Sequence, residues 1–78
     1  MARAYLRIWT KPGTEVQVGD ELRQVAGITA CDVTTGEQDI IAVVEAETYE
    51  DILQIIVGRM RLISGIEKTI TNLAVNTR

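Results

Sequence analysis

One polar cluster in the chain has the residue types that could bind a small zwitterion. It runs from Thr34 to Asp39 with the sequence Thr-Thr-Gly-Glu-Gln-Asp. An amino acid needs hydrogen-bond donors for its carboxylate and acceptors for its ammonium group. Thr35 and the backbone amides near Gly36 could supply the donors, and Asp39 could supply the acceptor. The alternative interpretation is a plain polar turn between two strands, without a ligand.

The side chains that most often catalyse reactions are missing or isolated in this sequence. The chain has no histidine, so the commonest general base is lacking. Cys31 therefore has no imidazole to activate it, and a cysteine within a strand is usually a small core residue. A lone thiol with scattered carboxylates is also a poor transition-metal site, and no phosphate-binding glycine motif is present. We expect no catalytic residues, no metal and no cofactor.

The formal net charge of the chain is −3. This charge argues against direct binding of nucleic acid, because such binding usually requires a basic surface. Tyr5 and Trp9 could form a stacking platform for a single strand, but Arg7 is the only basic residue interleaved with them. Packing of the two aromatic side chains at a subunit interface is the favoured interpretation, with no direct nucleic-acid partner.

The length of 78 residues permits one domain, which we assign to residues 1–78. A domain of this size buries only roughly 60% of the surface of its unfolded chain, and it is usually supported by disulfides, a metal or oligomerisation. The single cysteine excludes an intrachain disulfide, so oligomerisation is the expected support. The apolar segment at residues 52–63 is too short and too charged to cross a bilayer. Without a signal peptide, a cytoplasmic protein with no membrane partner is expected.

Hydrophobic periodicity predicts six elements, strand-helix-strand followed by strand-helix-strand. Alternation of apolar and polar residues indicates the strands, and spacings of three and four indicate amphipathic helices. The short connection between the second and third strands indicates a hairpin. The elements are a strand at residues 4–9, a helix between 14 and 27, strands at 28–34 and 39–46, a helix between 48 and 65, and a strand at 66–75.

Each predicted helix begins at a threonine. Thr14 and Gln17 have the spacing of a capping box, in which each side chain bonds a backbone amide near the other. Thr48 is expected to cap the second helix, with acidic residues in its first turn. The core-facing stripe of the second helix is expected to be Ile52, Ile56, Met60 and Ile63, widened by Leu53 and Val57.

An internal repeat supports a doubled strand-helix-strand unit. Each helix ends, and the following strand begins, with one shared pattern, which is Leu22-x-x-Val25-Ala26-Gly27-Ile28 and Met60-x-x-Ile63-Ser64-Gly65-Ile66. Doubling of this unit predicts an α+β fold, the ferredoxin-like βαββαβ sandwich. Its four strands form one antiparallel sheet, with two helices on one face.

The third predicted strand is apolar on both of its faces. Ile41 and Val43 point one way, whereas Ile40, Ala42 and Val44 point the other way. An antiparallel strand with one open face is normally polar on that face. Since both helices cover the same side of the sheet, the other side is expected to meet a second subunit.

Short motifs along nearly the whole chain, from residue 4 to residue 75, form a recognisable set. They are Ala26-Gly27-Ile28, Cys31-Asp32-Val33-Thr34-Thr35-Gly36-Glu37-Gln38-Asp39, Val44-Glu45-Ala46, Ile63-Ser64-Gly65-Ile66 and Thr69-x-Thr71. With this set the chain resembles the C-terminal domain of the leucine-responsive/asparagine (Lrp/AsnC) family of transcription regulators. That domain is called RAM, for regulation of amino-acid metabolism. The resemblance implies a ferredoxin-like fold, in agreement with the periodicity.

The resemblance also implies an assembly and a ligand. Family members pair through their sheets into homodimers, which often assemble further into octameric rings or related oligomers. An amino-acid effector binds between dimers near a Thr-Gly-x-x-Asp turn. Thr-x-Thr on the last strand is a further family motif. Carried over to this chain, the ligand-binding candidates are Thr35, Gly36, Glu37, Gln38 and Asp39 in the turn, and Thr69 and Thr71 on the last strand.

Two features depart from the family pattern. The family usually carries an N-terminal helix-turn-helix domain, whereas this chain begins at the first RAM strand, so a stand-alone form without direct DNA binding is expected. Many members also carry Tyr or Phe just before the aspartate of the turn. Gln38 holds that position here, so an aromatic wall of the pocket is expected to be lost or replaced.

The expected function is a stand-alone amino-acid sensor and oligomerisation domain that modulates transcription indirectly and is not an enzyme. One alternative is a ligand-independent interaction module that co-assembles with a full-length, DNA-binding paralogue. Another is a small dimeric enzyme of ferredoxin-like fold, which is disfavoured because the chain lacks histidine and clustered polar core residues.

Overall fold

Four strands and two α-helices alternate along the chain in the computed structural model, which describes residues 1–75. The strands form one sheet in the order β2-β3-β1-β4, and every neighbouring pair is antiparallel. This confirms the predicted ferredoxin-like βαββαβ sandwich. The elements are β1 (Ala2–Thr10), α1 (Glu15–Arg23), β2 (Ile28–Val33), β3 (Ile40–Ala46), α2 (Tyr49–Gly58), a short 3₁₀ helix (Met60–Leu62) and β4 (Ile66–Leu73).

The core lies between the two helices and one face of the sheet. Alternate residues of β1 and β3 are fully buried there, and Leu6 and Ile8 pair across the strands with Ala42 and Ile40. Val18, Leu22 and Ile52 close the same cluster from the helices. Each large aliphatic side chain buried in this way contributes about 1.5–3 kcal/mol to folding. The period-two pattern of β1 and β3 therefore fixes which face of the sheet carries the helices.

The second helix is shorter than predicted. It ends at Gly58, and the 3₁₀ helix follows, so that Met60 and Ile63 reach the core from beyond the α-helix. The prediction that Leu53 and Val57 widen the buried stripe is wrong, because these side chains are 49% and 53% exposed. Consecutive helical residues are rotated by about 100° about the helix axis. Because Ile52 is directed at the sheet, Leu53 faces outward, and so does Val57 one turn later.

The two helix-capping predictions have opposite outcomes. Thr48 Oγ1 accepts a hydrogen bond from the Asp51 amide at 3.1 Å, as predicted. The capping box at Thr14 is wrong, because this residue makes no side-chain cap bond. Its hydroxyl instead donates to the carbonyl of Lys11 at 2.7 Å, which closes the preceding turn.

Replacing Thr48 with alanine is expected to lower the free energy of unfolding by about 1 kcal/mol, because the Asp51 amide loses its acceptor. Thr48→Ser is the matched control, since it keeps the hydroxyl and should retain most of the stability. Urea denaturation followed by circular dichroism measures both variants. An equal loss in the serine variant would show that the methyl group of Thr48, and not its hydroxyl, stabilises the start of α2.

Candidate functional site

The polar turn between β2 and β3 spans residues 34–39 and is closed by its own hydrogen bonds. The Thr34 amide donates to the Asp39 carbonyl at 2.8 Å. The Thr34 hydroxyl donates to the Gln38 carbonyl at 3.2 Å and accepts from Gln38 Nε2 at 3.3 Å. At the tip, Thr35 and Gly36 are exposed, and Gly36 has a φ of 120° that few other residues adopt. The tip of the turn is therefore exposed to solvent, while hydrogen bonds hold its two ends together.

Asp39 fastens this turn to the end of β1. Its Oδ2 accepts from the Thr10 amide at 2.8 Å and from the Thr10 hydroxyl at 3.4 Å, while its own amide donates to the Ile8 carbonyl at 3.0 Å. The pairing of β1 with β4 shifts register between Trp9 and Thr10. Asp39 thus satisfies a buried backbone donor at a point where the strand ladder is irregular.

Two side chains of β1 hold the middle of the turn. Arg7 Nη2 lies 2.6 Å from Glu37 Oε1, and Arg7 Nε and Nη2 both lie 3.3 Å from Gln38 Oε1. The indole Nε1 of Trp9 donates to the Glu37 carbonyl at 2.8 Å. We refer to Arg7, Trp9 and Glu37 as the turn clamp. Sequence reasoning missed Arg7 as a partner of the turn, although a basic residue between Tyr5 and Trp9 on one strand face was a usable signal.

Two cations flank the indole of Trp9. Arg7 Cζ lies 5.3 Å from the ring centroid and Lys68 Nζ lies 4.7 Å from it. Both distances fall within the range of cation–π attraction, which contributes about 0.5–1 kcal/mol at exposed sites. The indole is thereby held between β4 and the turn, in an orientation that allows its N–H to reach the turn.

Thr69 and Thr71 lie apart from the turn. They pair with Ile8 and Leu6 on β1, so they share the helix-covered side of the sheet with these core residues. The turn clamp starts from Arg7 and Trp9 on the opposite side. Thr69 also lines a shallow groove of about 340 Å³ between α2 and β4. Within one chain the structure brings residues 34–39 together and does not bring the two threonines to them.

The side of the sheet away from the helices, which we call the open face, has an apolar centre. Tyr5 and Ile41 are exposed there, and Val43 and Ile70 are half-buried. An ion pair between Arg3 and Glu45, with a separation of 3.0 Å, lies at the end remote from the turn. The turn clamp reaches from Arg7, which lies between Ile41 and Ile70, to Trp9 and Glu37 at the other end. An apolar centre with a charged rim is the composition of a protein–protein interface.

Cys31 is buried against α1. Its thiol lies 3.8 Å from the Gly19 carbonyl. Burial raises the pKa of this thiol more than the nearby Arg23 lowers it, and Asp32 and Asp20 add smaller upward contributions. Such a thiol is a weak nucleophile because little of it is thiolate at neutral pH. Within residues 1–75, no group of three or more cysteine, aspartate or glutamate side chains is placed to hold a metal ion. None of the helices in this part of the chain is long and apolar enough to cross a membrane.

Sequence comparison identifies the family of the domain. Residues 3–78 match the family model described as the Lrp/AsnC ligand binding domain. An uncharacterised HTH-type transcriptional regulator of Pyrococcus abyssi is 27% identical over 64 residues, which are 82% of this chain and 43% of that protein. The chain thus spans less than half of the length of the curated relatives it matches.

Structural comparison gives the same fold. A hypothetical protein from Pyrococcus horikoshii superposes with a TM-score of 0.91 at 30% identity, over 99% of this chain and 93% of that chain. A transcriptional regulator from Neisseria meningitidis, in complex with L-Met, superposes with a TM-score of 0.81 at 12% identity. This second match covers 96% of this chain and 50% of the regulator, and it concerns the fold alone.

Proposed function

This chain belongs to the Lrp/AsnC ligand-binding domain family, and on that premise we propose that it senses an amino acid through the turn at residues 34–39. Two copies pair through the open face, and such homodimers assemble further, with an octamer as one arrangement. The effector lies between dimers and shifts their assembly. Transcription is then modulated indirectly, through the assembly state or through a DNA-binding relative, and the chain is neither an enzyme nor a direct nucleic-acid binder.

The position of Asp39 is the observation that carries the ligand proposal. Both hydrogen bonds that its carboxylate makes within residues 1–75 use Oδ2, which leaves Oδ1 to accept from the ammonium of an effector. The anchoring bonds to Thr10 hold the carboxylate in place before a ligand arrives, and such preorganisation lowers the cost of binding. Thr35 and Gly36 at the exposed tip are the proposed donors to the carboxylate of the effector. The structural relative bound to L-Met supports an amino acid as the ligand class.

The other candidate residues have secondary places in this proposal. Glu37 and Gln38 are engaged by Arg7, so they line the turn and position it. Thr69 and Thr71 lie on the helix side of the sheet, remote from the clamp, and a neighbouring copy would have to supply them to a site between dimers. Thr69 and Thr71 therefore contribute to the ligand site only in the assembled oligomer.

Pairing through the open face is supported by its composition. Tyr5, Ile41 and Val43 form an apolar patch on β1 and β3, and Ile70 on β4 lies across Arg7 from Ile41. Burial of apolar area is the main favourable term in association. A second copy also supplies the support that a chain of 78 residues lacks when alone.

Calorimetry with the twenty standard amino acids tests the ligand proposal, and Asp39→Asn is the sharpest variant. Asparagine keeps an oxygen for the Thr10 amide but removes the negative charge. We expect affinity for the effector to fall about tenfold or more, since hydrogen bonds to charged groups contribute about 1.5–3 kcal/mol, while stability is nearly retained. Asp39→Ala should in addition lower the free energy of unfolding by about 1–3 kcal/mol, because the buried Thr10 amide loses its acceptor.

Unchanged affinity in Asp39→Asn would remove Asp39 from the binding site. Unchanged stability in Asp39→Ala would remove its anchoring role.

A ligand-independent interaction module is the second candidate function. It is favoured because the charged side chains of the turn already have partners within the chain. Arg7 pairs with Glu37, and Thr10 donates a hydrogen bond to Asp39. In that case the domain would co-assemble with a DNA-binding relative and bind no effector. Light scattering with and without each amino acid separates the two functions. A mass that changes with one amino acid supports the sensor, and one fixed oligomeric mass supports the module.

A further inference from the structure

We infer that the turn clamp couples the turn at residues 34–39 to the open face, so that pairing of two copies through that face orders the turn. This inference rests on the proposed function, which places a second copy on the open face. It adds a regulatory link, because the turn, which Asp39 already anchors in the single chain, would be held more tightly in the dimer.

Arg7 is the residue of the clamp that contacts both the turn and the apolar part of the open face. Arg7 lies in the centre of β1, and its cross-strand neighbours Ile41 and Ile70 belong to the apolar centre of the open face. The same guanidinium reaches Glu37 at 2.6 Å and Gln38 at 3.3 Å. A second copy that covers Ile41 and Ile70 must therefore also cover the stem of Arg7.

Water exclusion at Arg7 changes the strength of the clamp. In the single chain the Arg7 side chain is 35% exposed and the Glu37 side chain is 78% exposed, and ion pairs as exposed as this one are weak because water screens them. A partner over Arg7 lowers the local dielectric, which strengthens the attraction. The bonds from Arg7 to Gln38 and from Trp9 to the Glu37 carbonyl satisfy neighbouring groups, and they offset the cost of removing the charges from water.

A second ion pair on the open face provides a control for this coupling. Arg3 and Glu45 form a second ion pair at 3.0 Å, with 38% and 25% exposed side chains. Both residues lie on paired strands at the other end of the face, where they do not contact the turn. Glu37→Gln and Glu45→Gln therefore each remove one ion pair, but only the first pair belongs to the turn clamp.

The test combines two measurements that require no effector. Analytical ultracentrifugation gives the dimer dissociation constant of the wild type and of both variants. Amide hydrogen exchange of peptides covering residues 34–39 is then followed by mass spectrometry, at concentrations above and below each constant. In the wild type and in Glu45→Gln, dimer formation should slow exchange in the turn about fivefold or more, which is the range of ordinary coupling between sites. In Glu37→Gln this protection should be clearly smaller, because the ion pair that the dimer strengthens is absent.

Equal protection of the turn on dimerisation in Glu37→Gln and in the wild type would overturn the coupling. So would wild-type exchange that is the same in monomer and dimer. A wild type that stays monomeric at every concentration would be recognised by ultracentrifugation alone, and it would remove the proposed pairing and the coupling with it. A failure of all amino acids to bind would count against the sensor function only.

Discussion

Gly27→Ala is expected to lower the free energy of unfolding by about 2–4 kcal/mol, the combined cost of a positive φ and of overpacking. Gly27 joins α1 to β2 with a φ of 100°, and a Cβ there would lie 2.7 Å from Ile55 Cδ1 and 3.3 Å from the Glu45 carbonyl. The Ile55 side chain can shift, but the Glu45 backbone cannot easily do so, because its amide donates to the Gly27 carbonyl at 2.8 Å. Urea denaturation at one fixed protein concentration measures the change, since assembly itself adds stability.

Two other glycines separate the causes of this loss. Gly13 also has a positive φ, of 85°, but an added Cβ would meet no atom within 4 Å. Gly13→Ala should therefore cost only about 1–2 kcal/mol, the conformational part. Gly58 is exposed at the end of α2 with equally open space, so Gly58→Ala should raise stability by about 0.5 kcal/mol through helix propensity. Equal losses at Gly27 and Gly13 would show that contact with Ile55 and Glu45 is harmless.

Elements with strong periodicity were predictable from the sequence. The alternation in β1 assigned Leu6 and Ile8 to the core, and both are fully buried. The third strand was predicted to be covered on both faces; its core face is buried, and cover of the exposed Ile41 by a second subunit stays a prediction. Such patterns are readable because a side chain that points into the core must be apolar wherever the rest of the chain lies.

Predictions failed where the result depended on the exact path of the backbone. Thr14 and Gln17 had the right spacing for a capping box, but Thr14 has φ and ψ of −108° and 1°, away from the extended region typical of a cap. The hydroxyl then finds a nearer acceptor at Lys11. Leu53 and Val57 had helical spacing too, but a two-layer sandwich covers only one side of a helix. Local spacing cannot distinguish these outcomes.

The turn at residues 34–39 was predictable as a segment, whereas its contacts were not, and its role as a ligand site stays a prediction. The composition of residues 34–39 marked a turn with binding groups, and the structure keeps these residues together. The partners of the turn are 28–31 positions away in the chain, as in the bonds from Arg7 to Gln38 and from Trp9 to Glu37. Such pairs follow from strand order and register, since β1 enters the sheet beside β3. This strand order brings Arg7 close enough to the turn to pair with Glu37.

Val43→Asp should raise the dimer dissociation constant about a hundredfold or more, because like charges brought together at an interface cost several kcal/mol. Val43 lies half-buried on the open face, and its cross-strand neighbours Tyr5 and Ala30 are uncharged, so the new carboxylate gains no directly opposite ion pair. In a symmetric pair of copies the substitution appears twice. Sedimentation over a concentration series measures the constant, and circular dichroism verifies that the monomer remains folded.

Leu53→Asp is the control that tests which side of the molecule forms the dimer. Leu53 is an aliphatic residue with a 49% exposed side chain on α2, on the opposite side of the sheet, and its replacement should leave the dissociation constant of the dimer within about twofold, as expected of a substitution outside the interface. If Leu53→Asp separates the subunits and Val43→Asp does not, pairing occurs through the helices. The turn clamp would then face solvent in the assembly, and coupling between the turn and pairing would lose its physical basis. The two variants therefore decide which surface joins the subunits and whether Arg7 can transmit that contact to the turn.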